Sequence, residues 1–257
     1  MKWKEPKAIP EGVEIPPKKG LLRVFELLDR DGGKFFKSGV LALVSLIPFY
    51  LAVMFSVANG ALSLLMLCIP TGMLAMPQVT AAADTVMRSM RDEVGWWWWD
   101  TYKTVWKRNA KASLLPGAIG GFIIGLQIYC VYFLTLLENP TSEFLMLLAA
   151  IVIAMGVMQF YLPMLVCMEL PFGSLLRNCF VMFMCHPIKA LLAALVQVVY
   201  FGIMLVWFPL TLVILVLTSL WLPMLLAYSI LYKAMDKELN LTETYKALQT
   251  QRWSGAD

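Results

Sequence analysis

The sequence predicts an all-α, polytopic membrane helical bundle of about six transmembrane helices, arranged as three hairpins with cytoplasmic amphipathic helices. Three observations carry this expectation. Of the 257 residues, 60% are hydrophobic and 15% charged, at a mean hydropathy of +0.72, more apolar material than a soluble core of this length could hide. Several apolar runs reach the roughly 20 residues that cross about 30 Å of hydrocarbon, longer than the alternating strands of a membrane barrel. The cations are also one-sided: of 21 Lys and Arg, nine precede residue 39, six lie from Arg88 to Lys111, two are Arg177 and Lys189, and four follow Tyr232. Lys and Arg collect in cytoplasmic loops, so both termini are expected in the cytoplasm and the turns near Asn59 and from Glu138 to Glu143 outside.

In chain order, the Lys- and Pro-rich residues 1–20 read as a cytoplasmic tail without the apolar core of a secretory signal. Leu21, Leu22, Phe25 and Leu28 recur at helical spacing, which predicts a short amphipathic helix ended by Gly32-Gly33. Span one is expected from about Gly39 to Ala58, closed by the turn signal Asn59-Gly60. The segment from Ala61 to about Thr80 carries Pro70, Gly72 and Pro77 and reads as a broken crossing or a re-entrant segment. The parity of the charge pattern requires it to cross. Spans three (about Ser113 to Leu137) and four (about Phe144 to Met168) flank a tight turn at Pro140 and Ser142. Ala190 to Tyr232 has no formal charge and is long enough for two spans folded near Phe208-Pro209. The expected division is thus a cytoplasmic tail and helix over 1–38, a membrane domain over 39–232 with a cytoplasmic interfacial segment at 84–112, and a cytoplasmic tail over 233–257. A faint repeat supports the hairpins: Tyr161-Leu162-Pro163-Met164-Leu165 matches Trp221-Leu222-Pro223-Met224-Leu225 late in two returning arms, with Met76-Pro77 in the same place in the first.

The most distinctive stretch holds Trp96, Trp97, Trp98 and Trp99. Continued as a helix, it sets Trp98, Trp99, Tyr102 and Trp106 on one face and Lys103, Lys107, Arg108 and Lys111 on the other. Indole rings settle at the headgroup level and lysines meet anionic lipid, so this helix is expected to lie on the cytoplasmic membrane surface as an anchor. Gly117, Gly121 and Gly125 form a GxxxGxxxG face on span three for close helix packing, against another span of the chain in preference to a second copy.

Asp84 and Arg88, four apart, stand close enough to pair, and Arg91 continues that side. Ionisable groups at this depth line an ion or ligand path when they face a bundle interior, and otherwise form an interfacial pair that ends a span. Glu169, before Pro171, carries the same two readings. His186 is the single histidine, and the five cysteines lack CxxC spacing, so neither a metal site nor a disulfide framework is expected. With no phosphate-binding glycine loop, Ser-His-Asp set or HExxH in the sequence, no enzyme, cofactor or nucleic-acid partner is expected.

The order of these features resembles the YesL-type family of bacterial membrane proteins. The likeness lies in Met76-Pro77-Gln78-Val79-Thr80-Ala81-Ala82-Ala83, in the continuation ending Arg91-Asp92-Glu93, in the aromatic Trp99 to Trp106 and in Lys107-Arg108-Asn109-Ala110-Lys111. It covers about Leu21 to Gly125, with the later hairpins alike in hydropathy alone. The resemblance implies a bacterial plasma-membrane protein encoded beside carbohydrate ABC importers, hence an accessory subunit docking an importer or another membrane protein. It supplies no catalytic residues. An autonomous small-solute or ion transporter and a lipid-binding scaffold are the alternatives.

Overall fold

The structure is a computed structural model, and it describes residues 21–93, 96–168, 170–207 and 209–244. Among these residues there is no strand. Five helices are long and apolar enough to cross a membrane, and a sixth crossing is made if one bent pair counts as a single span. The chain is an all-α polytopic bundle, as its composition requires.

Helix α1 runs unbroken over Leu21–Ala58. The expected stop at Gly32-Gly33 is not used, so the boundary drawn at residue 38 falls inside a helix. Two helical glycines cost about 1 kcal/mol each, but the turns around them are pinned. Leu27 and Phe35 are fully buried on either side, and Asp31, 2% exposed, bonds both Arg30 and Lys34 at 2.8 Å. The chain then turns at Asn59-Gly60, where Gly60 takes φ +59°, a region glycine enters without a Cβ clash.

A 3-10 segment, Leu62–Leu67, leads into α2, Cys68–Met90. Together they form a 29-residue candidate crossing, so the second segment is long enough to span. Pro70 stands in the first turn of α2, where a missing N–H costs least. Pro77 is interior and buried, and α2 continues through it because α1, α3, α5 and α9 all pack around this helix. Every residue from Thr80 to Met87 is buried. The small side chains of Thr80, Ala81, Ala82, Ala83 and Thr85 allow neighbours on all sides, which makes α2 the axis of the bundle.

Helix α3 spans Trp98–Leu134. The stretch from Trp98 to Lys111 therefore runs without a break into the candidate crossing and is not a separate helix. Nothing between Trp98 and Ser113 breaks helical winding, and Tyr102, Val105, Asn109 and Ser113 are buried along one side of it. After the turn at residues 135–140 come α4, Thr141–Met158, and α5, Tyr161–Cys167. The arms of this hairpin part company: α3 packs chiefly on α2, α4 chiefly on α7, and no described residue from 126 to 155 is buried.

Helix α6, Phe172–Cys185, precedes α7, Pro187–Val206, and the chain returns through α8, Leu212–Thr218, and α9, Trp221–Leu239, bent by 55°. The repeated Leu-Pro-Met-Leu strings occupy equivalent places. Each opens a helix after a break, α5 at Tyr161 and α9 at Trp221, with Pro as the third helical residue and Pro, Met and Leu buried. Proline is tolerated there because first-turn donors lack intrahelical partners.

Candidate functional site

The C-terminal end of α2 gathers charge inside the bundle. Asp84 and Glu93 are each 2% exposed. Between them Arg88 donates from Nε to Asp84 Oδ2 at 2.6 Å and from Nη1 to Glu93 Oε2 at 2.5 Å. Arg91 Nη2 lies 2.7 Å from Glu93 Oε1, and its Nη1 donates to Cys167 Sγ at 3.2 Å, reaching the end of α5. Two arginines thus face two carboxylates. An uncompensated charge at this depth would cost several kcal/mol, which is why the groups are alternated. Burial works against the charge on Arg91, but Cys167 and Glu93 outweigh it and hold its pKa above the ordinary guanidinium value. Two of the carboxylate oxygens, Asp84 Oδ1 and Glu93 Oε1, are buried without a hydrogen-bond partner among the described residues, and of these Glu93 Oε1 still has its ion pair with Arg91.

Glu93 reaches the cluster through the way α2 ends. Its N–H bonds the Arg88 carbonyl and that of Asp92 bonds the Ser89 carbonyl, the paired closure of a helix whose next residue is left-handed. Asp92 takes that position at φ +59°. Its carboxylate is held by Arg23 and Arg30 of α1, both at 2.6 Å, while Arg30 Nη2 also donates to the Ser89 carbonyl at 2.7 Å. The first turns of α1 therefore lock the turn that carries Glu93.

The expected Asp84–Arg88 pair is formed, and Arg91 joins it. Glu169 lies outside the described residues. Glu93, Cys167, Arg23 and Arg30 join the site although they are not among the residues that the sequence singles out. Only Glu93 carried a local signal, at five residues from Arg88.

The tryptophans divide by direction. Trp97 is 81% and Trp99 47% exposed, and Lys103 stands 5.4 Å over the Trp99 ring. Trp96 and Trp98 turn to α1, where Lys34 lies 4.2 Å over the first ring and Lys37 5.6 Å over the second. Trp98 also tilts on Tyr102, whose hydroxyl donates to Gln78 Oε1 of α2 at 2.7 Å, and Trp106 packs with Ala81 and Val105. The glycine face meets α2. A Cβ at Gly117 would stand 2.6 Å from the Gly72 carbonyl oxygen, and one at Gly121 2.5 Å from that of Cys68. At Gly125 it would stand 2.8 Å from Cys68 Sγ. The partner of that face is internal. His186 Nε2 lies 3.3 Å from Glu238 Oε1, joining the end of α6 to α9.

Comparison with protein-family models, with curated proteins and with solved structures finds no match. The resemblance to the YesL-type family rests on the residues quoted for it.

Proposed function

We propose that the chain is a non-enzymatic, multi-pass membrane protein that serves as an accessory subunit docking another membrane protein, linked to solute import and, through the family resemblance, to carbohydrate import. The observation that carries this reading is the disposition of charge. The buried charges of the α2 end are spent on one another, whereas Lys107, Arg108 and Lys111 are exposed along the α3 stretch that also presents Trp99. A carrier of polar solutes needs polar groups turned towards a path. A docking subunit needs a shaped, charged surface on a rigid frame, and aromatic residues with Arg are favoured at such surfaces.

The second reading, an autonomous carrier, is favoured by Asp84 Oδ1, a buried carboxylate oxygen without a hydrogen-bond partner among the described residues, where a cation could be held. One experiment separates the two. The protein reconstituted alone in liposomes is assayed for ion and sugar flux, with Asp84→Asn as control, and native membranes are solubilised to identify what copurifies. Docking predicts no flux above empty vesicles and stoichiometric recovery of an importer subunit. Flux abolished by Asp84→Asn would overturn it.

A further inference from the structure

A groove between α3, α5 and α6 combines an apolar wall with unpaired positive charge. Its volume is about 270 Å³, and Ala112, Leu115, Tyr161, Leu165, Phe172 and Leu175 line it, with Lys111 as the charged lining residue. Lys111 is exposed and makes no ion pair among the described residues. The orientation of the groove follows from the register of the helices. Arg108 Nη2 donates to the Val166 carbonyl at 3.3 Å, which fixes α3 against the end of α5. Of the groove's lining residues, Lys111 and Leu165 are the nearer to that contact along α3 and α5, and Leu115 and Tyr161 lie about one turn further from it, towards the apolar body of the span. Tyr161 is 4% exposed and its buried hydroxyl has no hydrogen-bond partner among the described residues.

We infer that this groove binds one anionic phospholipid, its phosphate on Lys111 and an acyl chain lying along Leu115 and Leu165. Charge complementarity selects the occupant. Lys107 and Arg108 stand on the turn above Lys111 and are likewise exposed, so the mouth is cationic, and a juxtamembrane cation attracts anionic headgroups. A zwitterionic headgroup brings its own ammonium to this mouth and gains less. The volume is below the roughly 300–1,000 Å³ of pockets for drug-sized ligands, and it suits a single alkyl chain. The lipid site uses cations that the docking proposal also invokes, Lys107, Arg108 and Lys111, but it concerns this chain and the bilayer alone, so lipid binding by the isolated chain fails or holds independently of docking.

The test uses the full chain purified in a neutral detergent and titrated with phosphatidylglycerol, phosphatidylcholine or glycerol 3-phosphate, read by melting temperature and by lipid retained in native mass spectrometry. Phosphatidylglycerol is expected to raise the melting temperature by roughly 2–4 °C, through mass action on the folded state, and to be retained. Phosphatidylcholine and glycerol 3-phosphate are expected to do neither. Lys111→Gln should raise the half-saturating phosphatidylglycerol concentration about five-fold, the loss expected for one interfacial lysine, and Lys107→Gln less than about two-fold. Leu115→Trp, which fills the groove from an exposed position, should abolish retention even if Lys111→Gln folds poorly. Equal protection by phosphatidylcholine, equal protection by glycerol 3-phosphate, or retention unchanged in Leu115→Trp would each overturn the assignment.

Discussion

Arg23 Nη2 lies 2.6 Å from both carboxylate oxygens of Asp92, across 69 residues of chain. That contact ties the start of α1 to the turn after α2, and it holds Asp92 in the left-handed conformation. Non-glycine residues pay roughly 1 kcal/mol or more to sit there. Strain and clamp are separable by mutation. Asp92→Ala should lose the ion pairs and keep the strain, lowering stability by about 2 kcal/mol. Asp92→Gly loses the same ion pairs but relieves the backbone, so it should cost about 1 kcal/mol less than Asp92→Ala. Thermal unfolding in detergent compares the two, and equal losses would show that the backbone at Asp92 is not strained.

Arg88 bridges Asp84 and Glu93, and the two kinds of removal should differ sharply. Arg88→Leu strands the buried Asp84 carboxylate and leaves Glu93 with Arg91 alone, and it is expected to cost about 3–5 kcal/mol, the range for breaking a buried pair from one side. Asp84→Asn leaves Arg88 its bond to Glu93 and keeps the shape of the side chain, so a loss of about 1–2 kcal/mol is expected. The same unfolding assay decides it. A smaller loss for Arg88→Leu than for Asp84→Asn would mean that the cluster is hydrated and not part of the core.

How far the sequence could be read depended on the distance over which each feature is specified. The Asp84–Arg88 pair, the Asn59-Gly60 turn and the glycine face are set by spacings of a few residues and were legible. The lysines over the tryptophans were not, because Lys34 and Lys37 lie some 60 residues from Trp96 and Trp98 and no local period links them. Gly32-Gly33 misled for a related reason. Its local preference is to stop a helix, and burial of Leu27 and Phe35 overrides that preference. In the tryptophan stretch, Trp98, Tyr102 and Trp106 turn to the bundle while Trp99 stands exposed beneath Lys103, so the single aromatic face that the period suggests is divided. Periodicity gave no sign of this, because the α1 and α2 surfaces that receive Trp98 and Tyr102 are distant in sequence.

The glycines of α3 offer a test in which neighbouring substitutions should have opposite effects. A Cβ at Gly121 would meet the backbone of α2, whereas a Cβ at Gly120 would meet nothing within 4 Å among the described residues. Gly121→Ala should force α2 and α3 apart at a cost of roughly 1–3 kcal/mol. Gly120→Ala should be neutral or stabilising by up to about 1 kcal/mol, from helix propensity. If both behave alike, the close crossing of α2 and α3 is not what holds the bundle.

Topology is the remaining prediction, and a hydrogen bond adds to the charge argument for it. Tyr129, near the end of α3, donates its hydroxyl to the Gly60 carbonyl at 3.0 Å. This places the turn after α1 beside the far end of α3, from which the chain passes within a few residues to the turn at 135–140. The two cation-free turns therefore lie at one end, and Arg88, Arg91 and Lys107 lie helices away at the other. By the positive-inside rule the cation-free end is expected to face out. Single cysteines at Asn59, Ser142 and Lys107, in a chain whose five native cysteines are replaced by alanine, are to be labelled in intact cells with an impermeant thiol reagent. Asn59→Cys and Ser142→Cys should react at once, and Lys107→Cys only after the membrane is permeabilised. Reaction of Ser142→Cys without Asn59→Cys would mean that the segment from Leu62 to Met90 does not cross, and reaction of Lys107→Cys alone would reverse the whole orientation.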